Sequence, residues 1–117
     1  MKKILIVDDE PKIREIYSKL LHEEGYTVFD AYNVRGAHKI LNEEIIDLVL
    51  LDINMPIVDG TSVYSLIKTA FENVKVIVTS VYSLDEQKKM IDSADDYYDK
   101  SRSIAELLSK ITQVFSS

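Results

Sequence analysis

Apolar residues along this chain follow two spacings that alternate from one end to the other. Short, mostly apolar runs have the pattern of strands, and apolar positions three or four residues apart have the pattern of one helix face. The strand-like segments are Ile4–Val7, Tyr26–Ala31, Leu48–Leu51 and, approximately, Val74–Val78. With the short polar segment Asp96–Asp99 as a fifth strand, this alternation predicts five βα units.

Helix start and stop signals fall between the strand-like segments. Pro11 suits the first turn of a helix, and Gly25 suits its end. Asn33 is a suitable N-cap for a second helix, and a third helix follows Gly60. The last two helices each begin with a capping box, in which a glutamate follows a serine at the third position: Ser83 with Glu86, and Ser103 with Glu106.

The first and third strands are continuously apolar rather than alternating. Such runs indicate strands that are buried on both faces, as in a parallel sheet covered by helices on both sides. The short polar fifth strand is expected at an edge. The predicted fold class is therefore α/β, with a doubly wound, five-stranded parallel sheet in a three-layer sandwich. In such sheets, ligands bind beyond the carboxyl ends of the strands.

Composition and charge narrow the classes of function. The 117 residues are 46% hydrophobic, and 14 basic against 20 acidic residues give a net charge of −6. This charge disfavours direct binding to nucleic acid or to an anionic membrane, and favours a protein partner or a cation. The absence of cysteine excludes disulfides and thiolate chemistry. We expect residues 1–117 to form a single cytoplasmic domain, with no effector domain attached.

Polar residues that can bind a cation or a phosphate follow the predicted strands. They are Asp8 and Asp9 after the first strand, Asp52 after the third, Thr79 and Ser80 after the fourth, and Lys100 after the fifth. Taken alone, Asp8 is better explained as a solvated turn residue or a helix cap, and Lys100 as an exposed charge on an edge strand. Their joint placement at one edge weakens these explanations. Three clustered carboxylates repel one another, so either their pKa values rise or a cation lies between them. Oxygen ligands favour Mg²⁺ over zinc or copper.

Three segments together resemble a known family. ILIVDDE (4–10), LVLLDINMPIVDG (48–60) and ADDYYDK (94–100), in this order and spacing, are similar to the receiver domain of bacterial two-component response regulators. The resemblance implies a (βα)5, flavodoxin-like fold with strand order 2-1-3-4-5. It also implies that the chain is a signalling domain rather than an enzyme. Asp52 would then take a phosphoryl group from a phosphohistidine of a sensor kinase or of a histidine phosphotransfer protein.

The resemblance also implies a Mg²⁺ site. By the family pattern, Asp9 and Asp52 bind the metal directly, and Asp8 acts mainly through water. The backbone carbonyl of Asn54 supplies a further oxygen, so Asn54 is expected to matter by its position more than by its side chain. The downstream target is expected to be a protein that binds helix four, strand five and helix five.

The family pattern assigns the remaining site residues to the phosphoryl group and to the switch. Lys100 matches the phosphate-contacting lysine. The family also has a switch hydroxyl, which hydrogen-bonds the phosphoryl group. Alignment of Tyr82 with the family's common aromatic residue makes Ser80 this hydroxyl, whereas alignment on the family's threonine makes it Thr79. Because neighbouring strand residues point to opposite faces, one of the two serves, and we choose Ser80. Tyr97 matches an aromatic residue that swings inward when the hydroxyl moves.

Two positions depart from the family pattern and leave other functions open. Ser101 stands where a proline usually follows the lysine, and Val81 stands where a small residue is usual. One alternative is therefore a receiver-like docking module that works without phosphorylation. Another is a small phosphatase or flavin binder, but the acids after the first strand stand where a nucleotide-binding loop would be rich in glycine, serine or threonine.

Overall fold

The computed structural model describes residues 1–54, 60–71 and 73–116, in which five strands and five helices alternate. The strands are β1 (Lys3–Val7), β2 (Thr27–Ala31), β3 (Leu48–Asp52), β4 (Lys75–Ser80) and β5 (Asp96–Asp99). The helices are α1 (Pro11–Glu23), α2 (Val34–Glu43), α3 (Gly60–Ala70), α4 (Leu84–Met90) and α5 (Ile104–Ser116). The predicted βα alternation is confirmed.

The strands form one parallel sheet in the order β2-β1-β3-β4-β5, which confirms the predicted topology. Alternate residues of each strand enter two separate apolar clusters, because successive side chains point to opposite faces. In β1, Leu5 and Val7 enter the cluster that contains α2 and α3, whereas Ile4 and Ile6 enter the cluster that contains α1 and α5. This two-sided burial explains why β1 and β3 carry continuous apolar runs.

The strand ends differ slightly from the predicted ones. β4 begins at Lys75 and extends to Ser80, and β3 includes Asp52, because ladder hydrogen bonds continue beyond the apolar runs. β5 lies at the edge as expected, yet Tyr97 and Tyr98 in it are buried. Their rings are apolar and their hydroxyls bond to backbone carbonyls, so a strand with a polar sequence still contributes to the core.

The helix ends use the expected caps. The hydroxyls of Ser83 and Ser103 accept hydrogen bonds from the amides of Glu86 and Glu106 at 3.3 and 3.2 Å. Gly25 has a φ of +93°, a conformation that glycine adopts without steric cost, and it ends α1 as expected. Among the described helices, none is long and apolar enough to cross a membrane.

The cap of α2 provides a test of local stability. Asn33 Oδ1 accepts a hydrogen bond from the Gly36 amide at 2.8 Å. Asn33→Ala is expected to lower the free energy of unfolding by about 1 kcal/mol, because this amide loses its partner. Urea denaturation measures the change. Asn42→Ala, the same substitution at an exposed position of α2, is the matched control and should not destabilise the fold, because alanine favours helix. Equal midpoints for the two variants would contradict the capping role.

Candidate functional site

The carboxyl ends of β1 and β3 bring three carboxylates together. β1 pairs directly with β3. Asp8 follows β1 and Asp52 ends β3, so both lie at the same edge of the sheet. Asp8, Asp9 and Asp52 each have a carboxylate oxygen within 4.8 Å of the others. Asp8 and Asp52 are each only 1% exposed, whereas Asp9 is partly exposed. The predicted cluster therefore exists, and two of its three acids are buried.

Backbone amides hold one oxygen of each buried acid. Asp8 Oδ1 accepts a hydrogen bond from the Glu10 amide at 2.9 Å, and Asp52 Oδ1 accepts one from the Asn54 amide at 2.8 Å. Arg14 Nη1 donates to the backbone carbonyl of Asp8 at 2.7 Å. These contacts orient the carboxylates and leave the second oxygen of each for a cation.

Lys100 supplies a positive charge to these second oxygens. Its Nζ donates a hydrogen bond to Asp8 Oδ2 at 2.8 Å and lies 3.2 Å from Asp52 Oδ2 as an ion pair. Asp52 Oδ2 is buried and has no partner with hydrogen-bond geometry among the described residues. Burial alone would lower the pKa of Lys100, but the hydrogen bond to Asp8 and the negative charges of Asp52 and Asp8 raise it above its ordinary value.

The environment of Asp52 makes its ionisation unfavourable. Burial raises the pKa of this carboxyl to about 6, and the charge of Asp8 also raises it. The Asn54 amide and the Lys100 ammonium lower the pKa without cancelling the effect of burial. Burial rather than repulsion among the acids is thus the main cause of the raised pKa of Asp52, and the Lys100 ammonium lies between Asp8 and Asp52.

The acidic cluster fits a hard divalent cation. All the side-chain atoms that it offers as metal ligands are carboxylate oxygens, which Mg²⁺ prefers. Asp52 Oδ2 is buried and has no hydrogen bond among the described residues, so a cation beside it would add to the charge of Lys100 in compensating this oxygen. Asp8, Asp9 and Asp52 are therefore the residues that would hold such an ion.

Ser101 closes the turn that positions Lys100. Its amide and its hydroxyl donate to Asp99 Oδ1 at 2.8 and 2.7 Å. A proline has no N–H and could not make the first of these bonds. The described residues contain no cis peptide bond. The Lys100 amide donates to the Ser80 carbonyl at 2.8 Å, so Lys100 reaches the acids although the usual proline is absent.

Both candidate hydroxyl residues at the end of β4 are buried, Ser80 at 0% and Thr79 at 2% exposure. Thr79 pairs in register with Asp52, and Ser80 follows it. Ser80 Oγ donates a hydrogen bond to Asn54 Oδ1 at 2.5 Å, and the Val81 amide donates to the same oxygen at 3.1 Å. The sequence did not reveal this role of the Asn54 side chain. The choice between Ser80 and Thr79 as the switch hydroxyl stays a prediction.

Gln87 contacts the segment that joins β4 to α4, and Tyr97 contacts the segment that joins α4 to β5. Tyr97 is 7% exposed, and its hydroxyl donates to the Ile91 carbonyl and accepts from the Ala94 amide. Gln87 is fully buried, and its Nε2 donates to the carbonyls of Tyr82 and Tyr98 at 3.0 and 2.9 Å. Sequence reasoning missed Gln87; a polar residue at an inward position of a short helix was the available signal. The proposed motion of Tyr97 stays a prediction.

Val81 is 65% exposed, so its side chain lies largely on the surface. Residues 55–59, the MPIVD part of the motif after Asn54, lie outside the described residues.

Comparisons with known proteins agree on one family. A family model described as a response regulator receiver domain matches residues 4–112. Sporulation initiation phosphotransferase F of Bacillus subtilis is 41% identical over 81 residues, which are 69% of this chain and 65% of that protein. The match thus spans slightly less than two thirds of the relative's length.

Solved structures show the same fold. The response regulator protein TrrA of Thermotoga maritima, in complex with Mg²⁺-BeF, is 38% identical with a TM-score of 0.88, covering 97% of this chain and 99% of that chain. A chain of the complex between histidine kinase ThkA and TrrA is also 38% identical, with a TM-score of 0.87 and coverage of 97% and 98%. A CheY-like receiver protein of Methanospirillum hungatei is 30% identical, with a TM-score of 0.87 and coverage of 97% and 92%.

Proposed function

Because the chain belongs to the response regulator receiver domain family of two-component signalling, we propose that Asp52 accepts a phosphoryl group in a Mg²⁺-dependent reaction. The donor is a phosphohistidine of a histidine kinase or of a histidine phosphotransfer protein. The observation that carries this proposal is the buried Asp52 carboxylate. Its Oδ2 has no hydrogen bond among the described residues and lies beside Asp8, Asp9 and Lys100.

In the proposed reaction, a carboxylate oxygen of Asp52 attacks the phosphorus atom. A P–O bond forms as the P–N bond of the phosphohistidine breaks, and the imidazole leaves with the electron pair. Such transfers depend on positioning and on neutralising charge rather than on covalent help from other groups. Lys100 offsets the charge of the phosphoryl oxygens. Asp9 and Asp52, Asp8 through water, and the Asn54 backbone carbonyl would hold Mg²⁺, which when bound offsets the charge that donor and acceptor share.

The proposed output is a change of surface rather than turnover of a substrate. Ser80, or alternatively Thr79, would donate a hydrogen bond to the phosphoryl group, and Tyr97 would follow this movement. α4, β5 and α5 form the surface for a downstream protein, in agreement with the contacts of Gln87 to β5 and the 3.4 Å ion pair between Asp96 and Lys110. The acidic charge favours a protein over nucleic acid as the target. From its family, we expect the protein to work in the cytoplasm.

Incubation with acetyl phosphate tests the metal requirement. With Mg²⁺ present, intact mass spectrometry is expected to show the addition of one phosphoryl group. Chelation of the metal by EDTA is expected to reduce the rate of addition at least about tenfold, because the charges of donor and acceptor then remain uncompensated. Restoring excess Mg²⁺ should restore the rate. Equal labelling with and without the metal would contradict the Mg²⁺ role, and no labelling by acetyl phosphate or by a competent kinase would favour the docking-module alternative.

A further inference from the structure

The Asn54 side chain occupies a position where two hydrogen-bond donors converge. Its Oδ1 accepts from the Ser80 hydroxyl at 2.5 Å and from the Val81 amide at 3.1 Å. Ser80 is fully buried, and Asn54 is half-buried. Two converging donors of this kind form a site for a negatively charged oxygen. In the unmodified protein, a neutral amide oxygen of the chain itself takes that place.

The location of this contact relates it to the proposed phosphoacceptor. The Asn54 backbone amide donates to Asp52 Oδ1 at 2.8 Å, so Asn54 is tied to the reacting carboxylate. Asp52 also pairs in register with Thr79, which places Ser80 and Val81 directly after its neighbour on β4. The Ser80 hydroxyl and the Val81 amide, which donate to Asn54, therefore lie beside Asp52, the residue that would carry the phosphoryl group.

We propose that the side-chain oxygen of Asn54 competes with the phosphoryl oxygens for the Ser80 hydroxyl and the Val81 amide. Asn54 must leave these two donors before they can stabilise a phosphorylated Asp52. This inference rests on the proposed function and gives Asn54 a positioning role in it. A phosphoryl oxygen is charged, and hydrogen bonds to charged acceptors are about twice as strong as those to neutral ones. The phosphoryl group thus displaces the amide once it is attached, but Asn54 slows its capture.

The same contact holds the segment after β4 in its resting position. Ser80 Oγ, while it donates to Asn54, accepts a hydrogen bond from the Tyr82 amide at 3.0 Å. The Tyr82 carbonyl in turn accepts from Gln87, which also contacts β5. Release of Ser80 by Asn54 therefore frees a segment that is bonded to the proposed output surface.

The kinetic test uses Asn54→Ala at saturating Mg²⁺, with acetyl phosphate as the donor and intact mass as the readout. Loss of the competing oxygen is expected to increase the rate of phosphoryl addition about threefold to tenfold, since two modest hydrogen bonds no longer have to be broken. Asn42→Ala is the matched control and is expected to react at the rate of the unmodified sequence. An Asn54→Ala rate equal to or below the control rate would overturn the inference.

A second measurement needs no variant and so does not depend on the folding of one. In the unmodified sequence, beryllofluoride with Mg²⁺ is expected to shift the side-chain amide resonances of Asn54 together with the Val81 backbone amide, while those of Asn33 and Asn42 stay in place. A Val81 shift without an Asn54 shift would overturn the inference. Absence of any adduct in all forms would instead contradict the proposed function itself, and the inference would fall with it.

Discussion

Asp52→Asn is expected to abolish phosphoryl labelling by acetyl phosphate and by a cognate kinase. The substitution keeps the size of the side chain but replaces the nucleophilic carboxylate with an amide, which is not a competent phosphoryl acceptor. The rate of adduct formation, followed by intact mass, is therefore expected to fall at least about a hundredfold. The backbone contact from Asn54 can persist, because the amide oxygen of the new residue can accept it.

The loss of labelling should not come from unfolding. Burial and the charge of Asp8 disfavour the ionised form of Asp52, and Lys100 keeps its hydrogen bond to Asp8, so removal of the Asp52 charge is not expected to lower the free energy of unfolding. Circular dichroism during thermal unfolding measures this. Asp92→Asn, the same change at an exposed position, is the matched control and should label normally. Labelling that survives in Asp52→Asn would place the phosphoacceptor on another residue and contradict the proposal.

Lys100→Met is expected to impair both the reaction and the stability of the metal-free protein. The thioether keeps much of the length of the side chain but removes the charge 2.8 Å from Asp8 Oδ2 and 3.2 Å from Asp52 Oδ2. Loss of a donor that stabilises developing charge is expected to slow phosphoryl addition roughly a hundredfold. Leaving two buried carboxylates without their cation should lower the free energy of unfolding by about 3 kcal/mol.

Mg²⁺ distinguishes this electrostatic effect from simple loss of packing. Because Lys100 and the metal would neutralise the same oxygens, Mg²⁺ should raise the unfolding temperature of Lys100→Met more than that of the unmodified sequence. Lys39→Met, at an exposed position of α2, is the matched control and should respond to Mg²⁺ like the unmodified sequence. A metal-induced shift that is the same in Lys100→Met and in the control would show that Lys100 does not share the acids with the metal.

Much of the fold could be predicted because its signals are local. The continuous apolar run of β1 and the helix cap at Asn33 each lie within a few residues, and the structure confirms both. Strand ends were less predictable, since β3 continues to Asp52 and β4 to Ser80 through hydrogen bonds with neighbouring strands. The buried tyrosines of β5 escaped prediction for a related reason, because the partners of their hydroxyls lie outside the strand: Ile91 before it for Tyr97, and Arg102 after it for Tyr98.

The sequence by itself determined which residue types stand at the ends of the strands, and the parallel sheet then had to bring Asp8, Asp9 and Asp52 to one edge. Only the tertiary structure decided how these groups are paired. Lys100 meets Asp8 across 92 residues of chain, and Ser80 meets Asn54 across 26. Such contacts depend on distances and directions between side chains from different elements, and no periodicity or spacing along a single chain encodes them.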